Sequence, residues 1–182
     1  MSEEAWVGDV LDFWFEELEP KQWFVKDEAL DATIIERFSE LYETLAATDN
    51  DAISASPRQA LAAVIVFDQF ARNMFRGSPK TFACDPKALA LAERLIADGS
   101  AEALSRDERY FLMMPFMHSE DLGAQERCVE LFAAHGSDQG LKYAKLHRDV
   151  IERFGRFPHR NGMLGRETTP EEQAYLDDGG GF

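Results

Sequence analysis

The sequence predicts an all-α fold of about eight helices, and three observations predict it. Apolar residues recur at three- and four-residue spacing through most of the chain. Each such stretch is bounded by a capping residue, a proline or a glycine. No stretch alternates apolar and polar residues as a half-buried strand would. The 182 residues are 45% apolar and 29% charged. That composition is close to ordinary globular usage and excludes a disordered or collagen-like chain. One domain over residues 1–182 is expected from the length and the lack of long linkers.

The first helix is read from Val7, Val10, Leu11, Trp14, Phe15 and Leu18, with Pro20 ending it. Trp23 and Phe24 are expected to anchor the following connection in the core. A second helix starts near Asp27 and turns Leu30, Ile34, Phe38, Leu41, Tyr42 and Leu45 inward. Ser56-Pro57 is an N-cap followed by proline at the first helical position. That helix carries Leu61, Val64, Ile65, Ala71 and Phe75 and ends at Gly77. Asp85-Pro86 repeats the start signal, and Gly99 stops its helix. Ser105 and Glu108 form a capping box. Pro115 removes a backbone donor, so its helix should kink or stop there. Helices follow near 121–135, ended by Gly136, and from Gly140 to Phe154, capped by Asp138 and ended by Gly155. Residues 155–168 have no periodicity, Thr169-Pro170 with Glu172 opens a last capped helix, and the glycine tail should fray. Short connections favour antiparallel helix neighbours.

Cys84 and Cys128 are read as buried, reduced thiols rather than a disulfide framework. The acidic start MSEEAWVGDV lacks the pattern of a signal peptide, and the longest apolar run, Ala60 to Phe67, is far too short to span a bilayer. A cytoplasmic location without membrane partners is the expectation. The net charge is −15. Residues 141–166 hold seven basic against two acidic side chains, a net of +5, so the remainder carries −20. Such a surface repels a phosphate backbone, so nucleic acid is not an expected partner. The basic segment can attract one small anion.

Three segments can carry chemistry. Leu61, Val64, Ile65, Asp68 and Arg72 share one helical face, so Asp68 and Arg72 extend an apolar stripe. A carboxylate there needs a partner, which Arg72 supplies four residues on. Gln69 and Asn73 form a second polar pair at the same spacing. In PFMHSED, His118 lies near a helix C-terminus, and His118 with Glu120 is a candidate acid–base pair. Alternatively, Ser119 caps the next helix, with Glu120 and Asp121 in its first turn. H-x-E alone does not make a metal site, and no metal is expected. In HRDVIERFGRFPHRN, Arg156, His159, Arg160 and Asn161 fall on a loop beyond Gly155. Arginine forks there suit carboxylate or phosphate, and His159 can add a donor or a proton. Neither a nucleophile elbow nor a glycine-rich phosphate loop is present.

VLDFWF (10–15), VFDQFARNMFRG (66–77), DERYFLMMPFMHSED (107–121) and HRDVIERFGRFPHRNGMLGRETTPEE (147–172) together resemble the bacterial family called domain of unknown function 924. The resemblance covers nearly the whole chain. It implies helices in a tetratricopeptide-like, superhelical arrangement, although the repeat consensus is absent. It implies no activity, and any cofactor stays unknown.

Two functions remain open from the sequence. The first is a small-molecule site, enzymatic or not. Asp68 and Arg72 would form its floor, His118, Glu120 and His159 would do acid–base work, and Arg156, His159, Arg160 and Asn161 would bind a small anion. The second is an interaction module offering a groove to a peptide or protein partner. A third account makes all three segments polar networks that hold the fold.

Overall fold

The computed structural model describes residues 5–181. Among them there is no strand, and the class is all-α. The described residues form ten α-helices where about eight are expected. The surplus has two sources. A π-helical segment, Ile65–Phe70, divides one expected helix into α3 (Pro57–Val64) and α4 (Ala71–Met74). A single helical turn, α9 (Asn161–Leu164), sits in the stretch without periodicity. The others are α1 (Ala5–Asp12), α2 (Glu28–Ala46), α5 (Asp85–Ala97), α6 (Arg106–His118), α7 (Leu122–His135), α8 (Asp138–Phe154) and α10 (Pro170–Asp177). No helix of the described residues is long and apolar enough to cross a membrane.

The chain divides into two compact units. One contains the residues up to Arg76 with Lys80–Pro115; the other contains Gly77–Pro79 with the chain from Phe116 onward.

In the first unit, α3 packs against α1 and α5, and α4 against α2. Ser56 caps α3 by accepting from the Gln59 amide, and Asp27 caps α2 through Ala29 and Leu30. Every residue from Gln59 to Ala71 is buried, so this helix is enclosed on all sides and has no single apolar face. The π-helical segment also abandons the 3.6-residue period on which a stripe depends. A second π-helical segment, Phe13–Glu17, continues α1 and buries Phe13 and Trp14. Phe70 sits 4.6 Å from the Phe38 ring, 5.7 Å from Phe13 and 5.6 Å from Trp14. Burying one such ring stabilises by roughly 1.5–3 kcal/mol. Phe24 departs from the expected role of core anchor: it is 60% exposed. Tyr42 donates to the Cys84 sulfur at 3.3 Å, and both cysteines are buried free thiols. Burial pushes Cys128 up to about 12.

In the second unit, α7 packs on α8, and Val150, Ile151 and Phe157 form a small core with Phe154 and Tyr175 against it. Three boundaries differ from expectation. The helix α6 runs through Pro115 to His118. Asp121, not Ser119, caps α7 by accepting from Ala124, while Ser119 Oγ accepts from the Asp121 amide. Ser137, not Asp138, caps α8. For α7 and α8 two nearby polar residues can cap, and the backbone path into the helix selects one. Gly155 closes α8 at φ +68°, a left-handed turn that favours glycine. The tail folds back, with the Gly180 amide donating to the Tyr175 carbonyl.

Candidate functional site

The first polar cluster lies within the first unit. Asp68 is fully buried. Gln69 donates to its Oδ2 at 2.6 Å, and Arg72 Nη1 lies 3.3 Å from its Oδ1. The same guanidinium forks onto Asp85, both bonds at 3.0 Å. Burial works against charge on Arg72, but Asp68 and Asp85 outweigh it and raise its pKa. Asp85 was a helix-start signal in the sequence; its side chain instead closes this triad. Gln69 and Asn73 do not pair. Gln69 turns to Asp68, and Asn73 reaches Asp31 in α2 at 2.7 Å, where Arg76 also binds. Burial raises Asp31, but Arg76 and Asn73 overcome it and lower its pKa. The result is a charged clasp joining α2, the central helix and α5. The first unit has a cleft walled by Leu11, Asp12, Phe15, Arg58 and Glu108 among others, and neither Asp68 nor Arg72 lines it.

The second and third segments meet in the second unit. Glu120 accepts both arms of Arg166 and the Phe157 amide. Burial alone would raise Glu120, but Arg166 and the Phe157 N–H win and lower it. Glu120 is therefore an ionised, fully engaged carboxylate. Arg166 also donates to the Asn161 side chain at 3.0 Å and to the Phe157 carbonyl. Asn161, fully buried, in turn donates to Thr168 and to Glu172.

Glu172 is the second carboxylate of the network. Arg156 forks onto it at 2.6 and 2.9 Å. The Thr169 amide donates to it at 2.8 Å, and Thr169 Oγ1 accepts from the Glu172 amide, completing the capping box of α10. Arg156 holds Glu172 down at about 2, helped by Thr169 against burial. Arg156 also donates to the Glu167 carbonyl. The sequence reading took Glu172 as a cap only and placed Arg166 only in the basic segment. A carboxylate or arginine far along the chain carries no local sign of its partner.

A different set surrounds Phe157. The His147 ring lies 5.6 Å from it on edge, and the His159 ring 5.6 Å away, tilted. The Arg160 guanidinium sits 4.5 Å over the same ring and donates to the His118 carbonyl at 3.0 Å. Arg160 is almost entirely buried. His147 shares a hydrogen bond with the Tyr143 carbonyl through Nδ1. Burial lowers His147 to about 3, with His118, Arg160 and His159 adding to it. Burial, then Arg160, lowers His159 to about 4. At neutral pH both imidazoles are uncharged, each with one donor and one acceptor nitrogen. Gln125, which the sequence reading passed over, fixes the chain on either side of His118. Its amide donates at 2.7 Å to the carbonyls of both Met117 and Ser119, and its buried Oε1 has no donor among the described residues. Among the described residues, no group of three or more His, Cys, Asp or Glu is placed to hold a metal ion.

The structure thus defines an all-α protein whose second unit folds an aperiodic loop around an arginine–carboxylate network, with imidazoles and one guanidinium about Phe157. The chain belongs to the family described as bacterial protein of unknown function DUF924, whose model matches residues 10–180. It is similar to the solved structure of a protein of unknown function, ATU0120, from Agrobacterium tumefaciens. The two share 42% identity over 96% of this chain and 98% of that one, with a TM-score of 0.89. No curated protein matches the chain.

Proposed function

We propose that the second unit binds a small anion, carried by a phosphate or carboxylate group, at His118, His159 and Arg160. The observation that carries this reading is the gathering of His147, His159 and Arg160 around one buried ring, with Arg160 tied to His118. A guanidinium beside neutral imidazoles offers a positive field together with directional donors. Glu120, Arg156 and Asn161 belong to the scaffold in this reading: Glu120 holds Arg166, Arg156 holds Glu172, and Asn161 bridges Arg166, Glu172 and Thr168. Asp68 and Arg72 are likewise a structural triad with Asp85.

The test is thermal melting of the intact protein with inorganic phosphate and with acetate. Either anion at about a hundred times its Kd should stabilise by roughly 2.7 kcal/mol. The shift should vanish in His159→Ala and in Arg160→Met, the latter keeping apolar bulk over Phe157. Folded variants that keep the full shift, or a wild-type protein that responds to neither anion, overturn the reading.

A further inference from the structure

The first unit exposes an aromatic and aliphatic surface that the anion site does not use. Phe24 and Val25, on the connection before α2, are each 60% exposed. Phe24 stacks on Phe111 at 6.1 Å and meets Tyr110 at 6.0 Å, so it stands on a rigid base. The rings continue through Trp23 to Phe15, at 6.4 and then 6.1 Å. Phe15 in turn forms a wall of a cleft of about 290 Å³, shared with Leu11, Asp12, Glu16, Asp107 and Glu108. An apolar face thus runs continuously into a carboxylate-lined cleft.

The charges specify the occupant. Arg58, the cation of the cleft, is paired with Glu108 at 3.2 Å. Asp12, Glu16 and Asp107 have no hydrogen bond or ion pair among the described residues. Asp107 lies in the first turn of α6, where the helix dipole welcomes it. Asp12 and Glu16 have no such local benefit. Both are exposed: Asp12 ends α1 and Glu16 lies in the π-helical segment that follows. Carboxylates without partners along one cleft favour a cation from outside. Exposed aromatic rings beside them receive aliphatic stems and cationic heads alike.

We infer that this face of the first unit docks a short basic segment of a partner protein, its lysine or arginine heads over Asp12, Glu16 and Asp107 and an apolar residue against Phe24 and Val25. Clusters of this kind, an apolar anchor with flanking charges, give peptide recognition its affinity and its specificity.

The test uses the full chain and a fluorescent hexapeptide alternating lysine and leucine, read by anisotropy. The expected result is saturable binding, weakened about tenfold or more by Phe24→Ala/Val25→Ala, and similarly by Asp12→Asn/Glu16→Gln/Asp107→Asn. These side chains lie at the surface, so both variants should stay folded, which a cooperative melting curve checks. A hexapeptide alternating glutamate and leucine should not bind. The inference is overturned if the lysine peptide fails to bind. It is overturned if only the charge variant weakens binding, or if a polyamine competes as well as the peptide, because the apolar face is then idle. Sedimentation of the free protein gives a further check. Self-association lost in Phe24→Ala would assign the face to a second copy instead.

Discussion

Glu120 and Arg166 stand 46 residues apart in the chain and meet in a two-armed ion pair, at 2.7 and 2.9 Å. The same carboxylate accepts the Phe157 amide at 2.8 Å. One side chain from the connection between α6 and α7 thereby holds both ends of the loop that presents His159 and Arg160. The pair is a quarter exposed, 23% for Arg166 and 27% for Glu120, so solvent screens part of its attraction.

Replacing Glu120 by Gln should therefore destabilise by about 1–3 kcal/mol, chiefly through the arginine left without its counter-charge. Urea unfolding measures it. A midpoint unchanged from wild type would mean that the loop is held by its other contacts, and that this pair is incidental.

Acid should weaken the fold through its buried imidazoles first. His147 and His159 sit near 3 and 4 in the folded protein, below the ordinary 6.5. The unfolded chain thus binds protons that the folded one refuses. Their contribution to stability is complete above about pH 6.5 and is lost as pH falls from there through 4 and then 3. Below about 4.5, Glu120 and Glu172 add a loss of the same sign, since both are held low in the fold. Stability should fall between pH 7 and pH 5, and His147→Phe should flatten that slope. A flat wild-type profile over the same interval contradicts this account.

The proposed anion site makes a linked prediction. A bound anion favours the imidazolium, so it raises His159 from about 4. Affinity for phosphate should then strengthen as pH falls from 7 towards 5, beyond any change in the charge of the ligand. Acetate, whose charge hardly changes over most of that range, isolates the effect. Calorimetry in two buffers of different ionisation heat should report proton uptake on binding. Binding without uptake would remove His159 from the site.

Asp68 tests the triad of the first unit. In Arg72→Met the buried carboxylate loses its cation, at a cost of roughly 3–5 kcal/mol. The double change Asp68→Leu/Arg72→Met removes the fully buried carboxylate with its cation and leaves only the partly exposed Asp85 without Arg72, so it should be the milder of the two. Should the double variant prove the less stable, the triad would be contributing net attraction beyond its desolvation cost.

Much of this fold is legible locally. The inward positions of α2, from Leu30 to Leu45, are all buried as their spacing requires. The caps Asp27, Ser56 and Thr169 and the left-handed Gly99 and Gly155 fall where the residue types place them. Where the reading fails, a distant contact overrides a local rule. Asn73 abandons Gln69 for Asp31, 42 residues away. Asp85 stands at a helix start yet serves Arg72. The stripe of Asp68 dissolves because neighbouring helices enclose its helix on every side and a π-helical turn breaks the period.

The sequence by itself determined that this protein is helical, where most helices start and stop, and which three segments are chemically unusual. Periodicity, caps and breakers act over four or five residues, so one chain is enough to read them. Only the tertiary structure decided which partner each unusual residue meets. A carboxylate or guanidinium has the same local sequence whether it will meet a ligand or another side chain. Arg156 and Arg160 lie four residues apart on one loop, yet Arg156 closes on Glu172 while Arg160 lies over Phe157 beside the imidazoles. That choice rests on which atoms the fold brings within 3 Å, a distance no local pattern encodes.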